Sequence, residues 1–147
     1  WHSDPDLLIG DDRFRGPPLA LRIVGDRLRL TYGWEPNFIT RDGWKAKYLL
    51  WEGSVRTGEW MHWRFAARWS WESDGLLRVW LNGEQIVDYK GPNAYNDIRG
   101  VYVKVGLYHP GTKRRLYLDD VYIGDDPPSG ERYPRGVSAQ DSQHGSD

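Results

Sequence analysis

Two phenols and one amine fall at alternate positions in Tyr102-Val103-Lys104-Val105-Gly106-Leu107-Tyr108. Side chains of a β-strand alternate between its faces, so Tyr102, Lys104, Gly106 and Tyr108 share one face if this stretch is extended. Val101, Val103, Val105 and Leu107 share the other, a wholly aliphatic face expected against a core. An ammonium draws an anion, hydroxyls carry protons, and a glycine leaves space between them. The combination suits a site that holds an anionic group and moves a proton. Any half-exposed strand alternates in this way, so the pattern alone also fits a plain wetted surface.

A second group of polar side chains lies within residues 60–71. There Trp60, His62, Arg64, Ala66, Arg68 and Ser70 form one face of an expected strand, and Met61, Trp63, Phe65, Ala67, Trp69 and Trp71 form the other. The apolar face belongs to the core. The cationic one is a candidate floor for a polyanion, with Trp60 and Tyr102 as surfaces on which sugar rings stack; an ordinary solvated face is the alternative. Asp4, Asp6, Asp11 and Asp12 lack the regular ligand spacing of a calcium loop and read as a solvated loop. Asp119 and Asp120 are adjacent, so a strand would point them to opposite faces. No metal site is assigned, no cofactor is expected, and a structural calcium ion stays open but without ligands.

The elements that position these residues read as strands. Residues 19–24 and 27–32 flank Gly25-Asp26, a two-residue hairpin turn, with Leu19, Leu21, Ile23, Leu28, Leu30 and Tyr32 facing inward. A weaker strand is expected at 44–52 and a long one at 60–71. Residues 76–81 and 84–89 flank Asn82-Gly83, the strongest short hairpin signal in the chain. Two more strands are expected at 100–108 and 114–123. Residues 125–147 offer almost nothing to bury and read as a disordered tail. Many short strands separated by turns, with no helix-period segment, predict an all-β sandwich or barrel in one domain over residues 1–124.

Composition narrows the function classes. Nine Trp and nine Tyr against three Phe and one Met make the apolar content strongly aromatic, as strands and sugar-stacking surfaces both favour. Nucleic acid is disfavoured because 20 Lys and Arg are matched by 21 Asp and Glu, without a basic block. No apolar run has the length of a membrane span. With no cysteine, there is neither a disulfide nor a thiolate zinc site.

The stretch 102–108 resembles the Tyr-Phe-Lys-x-Gly-x-Tyr strand of the jelly-roll polysaccharide lyases, among them alginate lyases, glucuronan lyases and heparin lyase I. Four other pieces resemble the heparin lyase I and glucuronan lyase branch, in the order found there. They are Gly16-Pro17-Pro18-Leu19-Ala20-Leu21, Gly58-Glu59-Trp60-Met61-His62-Trp63, Asp74-Gly75 with Val79-Trp80-Leu81-Asn82-Gly83, and Tyr117-Leu118-Asp119-Asp120-Val121-Tyr122-Ile123-Gly124. Trp1-His2 is similar to the end of the family's Gln-x-His strand, without the Gln. The resemblance thus implies a concanavalin-like jelly-roll sandwich lacking its N-terminal strands, including one that bears an arginine motif in relatives.

The same resemblance implies an activity: β-elimination on a uronic-acid-containing polysaccharide by a secreted or periplasmic protein. It matches Tyr108 to the catalytic tyrosine, as general acid and, depending on stereochemistry, base. It makes His2 the base or carboxylate neutraliser. Lys104 becomes a point charge for a substrate carboxylate or sulfate. Arg64, Arg68, His62, Trp60 and Tyr102 are then substrate-binding candidates. The expected partner is an acidic polysaccharide, with no nucleic acid and no membrane; oligomeric state is left open. A non-catalytic carbohydrate-binding module of the same architecture is the alternative, and an all-β interaction domain without a glycan role is a third.

Overall fold

A computed structural model describes residues 1–11, 16–41, 48–107 and 115–124. Six strands run in chain order: β1 (Leu19–Val24), β2 (Arg27–Tyr32), β3 (Tyr48–Ser54), β4 (Trp63–Arg68), β5 (Leu76–Leu81) and β6 (Glu84–Lys90). They form two three-stranded antiparallel sheets, β1-β2-β3 and β4-β5-β6, packed as an all-β sandwich without a helix among the described residues.

The hairpins follow from their turns. Gly25 (φ +63°) joins β1 to β2, while Asn82 (φ +51°) and Gly83 (φ +86°) join β5 to β6 in the left-handed conformation that a two-residue turn needs. Bulges fall between Leu30 and Thr31 in the β2–β3 pairing and between Val79 and Trp80 in the β5–β6 pairing.

The core is a small aliphatic centre inside an aromatic shell. Leu19, Leu30, Leu77, Val79 and Val87 are buried, and Trp1, Trp51, Trp63, Phe65, Trp69 and Tyr89 pack around them. Aromatic pairs bridge the two sheets. Trp51 meets Trp63 edge-on with ring centroids 5.8 Å apart, and Tyr32 lies 4.8 Å from Tyr89. Such pairs add about 0.5–1.5 kcal/mol each beyond the area they bury. Of the expected inward residues, Leu21 and Ile23 remain 41% and 38% exposed, because nothing among the described residues covers the inner side of β1 beyond Leu19.

Strand β4 is shorter than the expected 60–71, for a visible reason at each end. Asn82 Oδ1 accepts from the His62 amide at 2.8 Å, and Asn93 Oδ1 accepts from the Ser70 amide at 2.9 Å. Asparagine side-chain oxygens thus take the His62 and Ser70 amides in place of backbone carbonyls just outside 63–68. Asn93, fully buried, also donates to the carbonyls of Arg68 and Leu76, both at 3.0 Å. It thereby ties the loop after β6 to the β4–β5 pair.

Two expected strands are corrected. Residues 101–107 form no strand beyond one bridge at Tyr102. Val105 and Leu107 are 54% and 50% exposed, so the aliphatic face is half-buried only at Val101 and Val103. Gly106 sits at φ +134°, outside extended backbone, and ends the alternation there. Residues 115–124 are likewise exposed and carry no ladder. Residues 44–47 of the weaker expected strand, Tyr108 and the expected tail 125–147 lie outside the described residues.

Candidate functional site

The site begins with a pairing across 100 residues of sequence. His2 N donates to Tyr102 O at 2.7 Å, and Tyr102 N donates to His2 O at 2.8 Å. Residues that exchange both bonds in an antiparallel pair carry their side chains on the same side. The two rings lie 5.6 Å apart, tilted by 45°.

Trp1 fixes which side that is. Its amino group donates to the Leu19 carbonyl at 3.0 Å. Successive carbonyls point to opposite edges of a strand, and the Pro18 carbonyl already faces β2, accepting from Gly33 N at 3.1 Å. The Leu19 carbonyl therefore looks out from the open edge of β1. Side by side lie β2, β1, the Trp1–His2 segment and the Tyr102 segment. The Trp1 indole turns into the core, 4.6 Å from Phe65 and 6.1 Å from Trp69. By alternation His2 and Tyr102 turn to the outer side of the first sheet.

Three further groups surround them. Tyr102 donates its hydroxyl to Asp4 Oδ1 at 2.7 Å. His2 Nδ1 is 3.4 Å from the same hydroxyl and 3.5 Å from Asp4 Oδ1. Lys104 Nζ stands 5.2 Å from the centre of the Tyr102 ring, a cation–π approach that keeps both on one face. The Tyr102 hydrogen bond, then the nearby charges of His2, Lys104 and Arg99, hold the Asp4 carboxyl below its ordinary range against the opposing effect of desolvation. Asp4 is thus an anion held chiefly by the Tyr102 hydroxyl, with Lys104 and Arg99 nearby.

The structure therefore gathers His2, Tyr102 and Lys104. Trp60, His62, Arg64 and Arg68 lie elsewhere. Arg64 and Arg68 alternate with Phe65 along β4 and face away from Trp1, on the outer side of the second sheet. There Arg64 stacks over Trp80 at 4.8 Å, and Arg68 Nε donates to the Asp74 carbonyl at 2.7 Å. His62 precedes β4 with its amide on Asn82, and Trp60 is 67% exposed.

Asp4 is solvent-exposed, as expected of a solvated loop, but it also accepts the Tyr102 hydroxyl. Its spacing of two from His2 was the available signal, since i and i+2 share a side of an extended segment. Asp11 departs from the solvated-loop reading: buried, it accepts from the Thr40 amide at 2.7 Å and the Asp6 amide at 2.8 Å, and so pins the loop. Another phenol group is structural. Burial, followed by contact with Tyr89 and Tyr48, raises the Tyr32 hydroxyl well above the usual phenol range, which keeps it protonated. A hollow of about 380 Å³ opens at the other end of the sandwich between Trp51, Met61, Leu81 and Glu84, and contains none of the expected site residues. Among the described residues no three His, Asp or Glu side chains are grouped to hold a metal ion.

Residues 1–122 match the polysaccharide lyase family. The chain belongs to that family. Its sandwich agrees with the jelly-roll type of these lyases. No curated protein and no solved structure matches it.

Proposed function

We propose that this lyase domain cleaves a uronic-acid-containing polysaccharide by β-elimination, as the heparin lyase I and glucuronan lyase branch would imply. The observation that carries the reading is the reciprocal bonding of His2 and Tyr102, which sets an imidazole, a phenol and the Lys104 amine on one outer face.

In such a reaction the C5–H bond breaks, its electrons form the C4–C5 double bond, and the C4–O bond breaks with its electrons leaving on oxygen. A base takes the C5 proton and an acid protonates the departing oxygen. The C5 proton becomes acidic enough only when charge building on the adjacent carboxylate is neutralised. Lys104 supplies a positive charge for that carboxylate. His2 is the candidate base: with a proton on Nδ1, shared toward Asp4 and Tyr102, Nε2 keeps the lone pair. Tyr108, outside the described residues, is the proposed acid, on the strength of its match to the family tyrosine. Tyr102 lines the site as a stacking surface. This mechanism calls on no cofactor. Its substrate is found outside cells, so a secreted or periplasmic location accompanies the proposal.

The test is absorbance of the unsaturated uronate during incubation with glucuronan, alginate or heparin. Product that falls at least about 100-fold in His2→Ala and in Tyr108→Phe supports the lyase. Binding without product, unchanged by either substitution, contradicts it and supports a non-catalytic carbohydrate-binding module instead.

A further inference from the structure

The outer side of the first sheet carries a charge arrangement that its own residues do not resolve. Arg22 on β1 stands directly opposite Arg29 on β2. Like charges in directly opposed positions destabilise a sheet. Arg27 lies on the same face of β2, two residues from Arg29. Glu52 on β3 takes both of these, Arg27 Nε at 3.1 Å and Arg29 Nε in a shorter contact. Arg22 Nε reaches only the neutral Thr31 hydroxyl, at 3.4 Å. Arg27 and Arg29 thus share one carboxylate, and Arg22, opposite Arg29, meets a neutral hydroxyl. The two arginines held by Glu52 keep their side chains 41% and 43% exposed, open to a ligand.

This face is continuous with the site. The Trp1–His2 segment flanks the open edge of β1, and its outer side is also the outer side of Arg22 and Arg29. Adjacent strands are spaced about 4.8 Å apart, so the rows of Tyr102, His2, Arg22 and Arg29 span roughly 15 Å. That is room for several sugar residues crossing the strands.

We infer that an anionic polysaccharide extends from His2 and Tyr102 across the outer face of β1 and β2, where Arg22 and Arg29 bind its carboxylate or sulfate groups. Guanidinium groups suit planar, bidentate acid groups on such a chain. Glu52 competes for the same cations and holds Arg29 in place when no ligand is bound. The inference rests on the proposed substrate class, but it concerns binding rather than turnover. It moves the polyanion floor from β4, where the sequence pattern put it, to β1 and β2.

Calorimetric titration of the full chain with a glucuronan octasaccharide tests it. Arg22→Gln combined with Arg29→Gln is expected to weaken binding at least tenfold and to flatten its salt dependence. Arg78→Gln, on the outer face of the second sheet, stays within twofold. Glu52→Gln tightens binding two- to fivefold, a gain that a damaged fold does not produce. The inference is overturned if the double variant binds as the parent does. It is overturned equally if Arg64→Gln with Arg68→Gln abolishes binding instead, or if an oligothymidylate of equal charge binds as tightly as the octasaccharide. Binding lost with Arg22 and Arg29 but no product absorbance would keep this inference and sink the lyase reading. Product formed with an unchanged KM in the double variant would do the reverse.

Discussion

The two outer faces of the sandwich are both rich in arginine and differ in what their arginines touch. On the second sheet Arg64 covers Trp80, Arg68 caps the Asp74 carbonyl, and Arg78 meets Asp88 one to one at 3.3 Å. On the first sheet Arg27 and Arg29 share Glu52, while Arg22, directly opposite Arg29, reaches the neutral Thr31 hydroxyl. Residue type therefore says little about which face meets an anion. The neighbours differ, and a cation that divides a carboxylate with another, or has only a hydroxyl, has more to gain from a sugar acid than one matched singly to a ring, a carbonyl or a carboxylate.

The sharpest way to break this comparison is at Asp4. If the first sheet's outer face is the working one, Asp4 is a positioning residue that holds the Tyr102 hydroxyl and the His2 ring. Asp4→Asn is then expected to lower kcat about tenfold with little change in KM, since a small displacement of reacting groups is costly. The acid limb of the pH profile should also move to lower pH, because an imidazolium at His2 loses its neighbouring anion. An unchanged kcat and pH profile would remove Asp4 from the site.

A stability effect sharpens the other side. Asn93→Ala leaves the Ser70 amide and the Arg68 and Leu76 carbonyls without their partner. The expected cost is about 2–3 kcal/mol, read as a fall of several degrees in Tm. Octasaccharide affinity of the folded fraction should stay level, since Asn93 belongs to the second sheet. A variant as stable as the parent would contradict the role given to this buried amide.

The smallest effect is on acid stability. The Ser70 hydroxyl and the Arg68 charge hold the Asp74 carboxyl below its ordinary value, and Arg29 and then Arg27 do so for Glu52. Groups with folded pKa values depressed in this way stabilise the fold above their unfolded values, near 4, and lose that contribution as pH falls further. Tm is therefore expected to drop between about pH 5 and pH 3, and less steeply in Glu52→Gln. A Tm independent of pH across that window would deny both contacts a role in stability.

Much of the fold was legible because local chemistry and tertiary structure agree. Strands β1, β2 and β5 fall where alternation and the Gly25-Asp26 and Asn82-Gly83 turns put them. The ends of β4 were not legible, since Asn82 and Asn93 intervene through side chains distant in sequence or outside the periodic pattern. The stretch 100–108 has the strongest alternation around the site, yet residues 100–107 make a single bridge, because a ladder needs a partner and Gly106 leaves extended backbone.

The site was legible in part. His2, Tyr102 and Lys104 came from residue types and a family likeness, and they stand together. Charge alone makes Arg64 and Arg68 a candidate polyanion floor, but alternation cannot tell which side of a sandwich a polar face is on. Arg22 and Arg29 carry no signal of their own in sequence, where the inward leucines dominate the pattern of both strands. Only the register that opposes them, and the Trp1 contact to Leu19, bring them into the account.

The account stands or falls on which side of the sandwich an acidic glycan touches. Amide NMR shifts of the Tyr108→Phe chain, followed as the glucuronan octasaccharide is added, read this directly. Movement concentrated at His2, Arg22, Arg29, Tyr102 and Lys104, with Arg64, Arg68 and Arg78 still, is the predicted result. Shifts centred on β4 and β5 would contradict it.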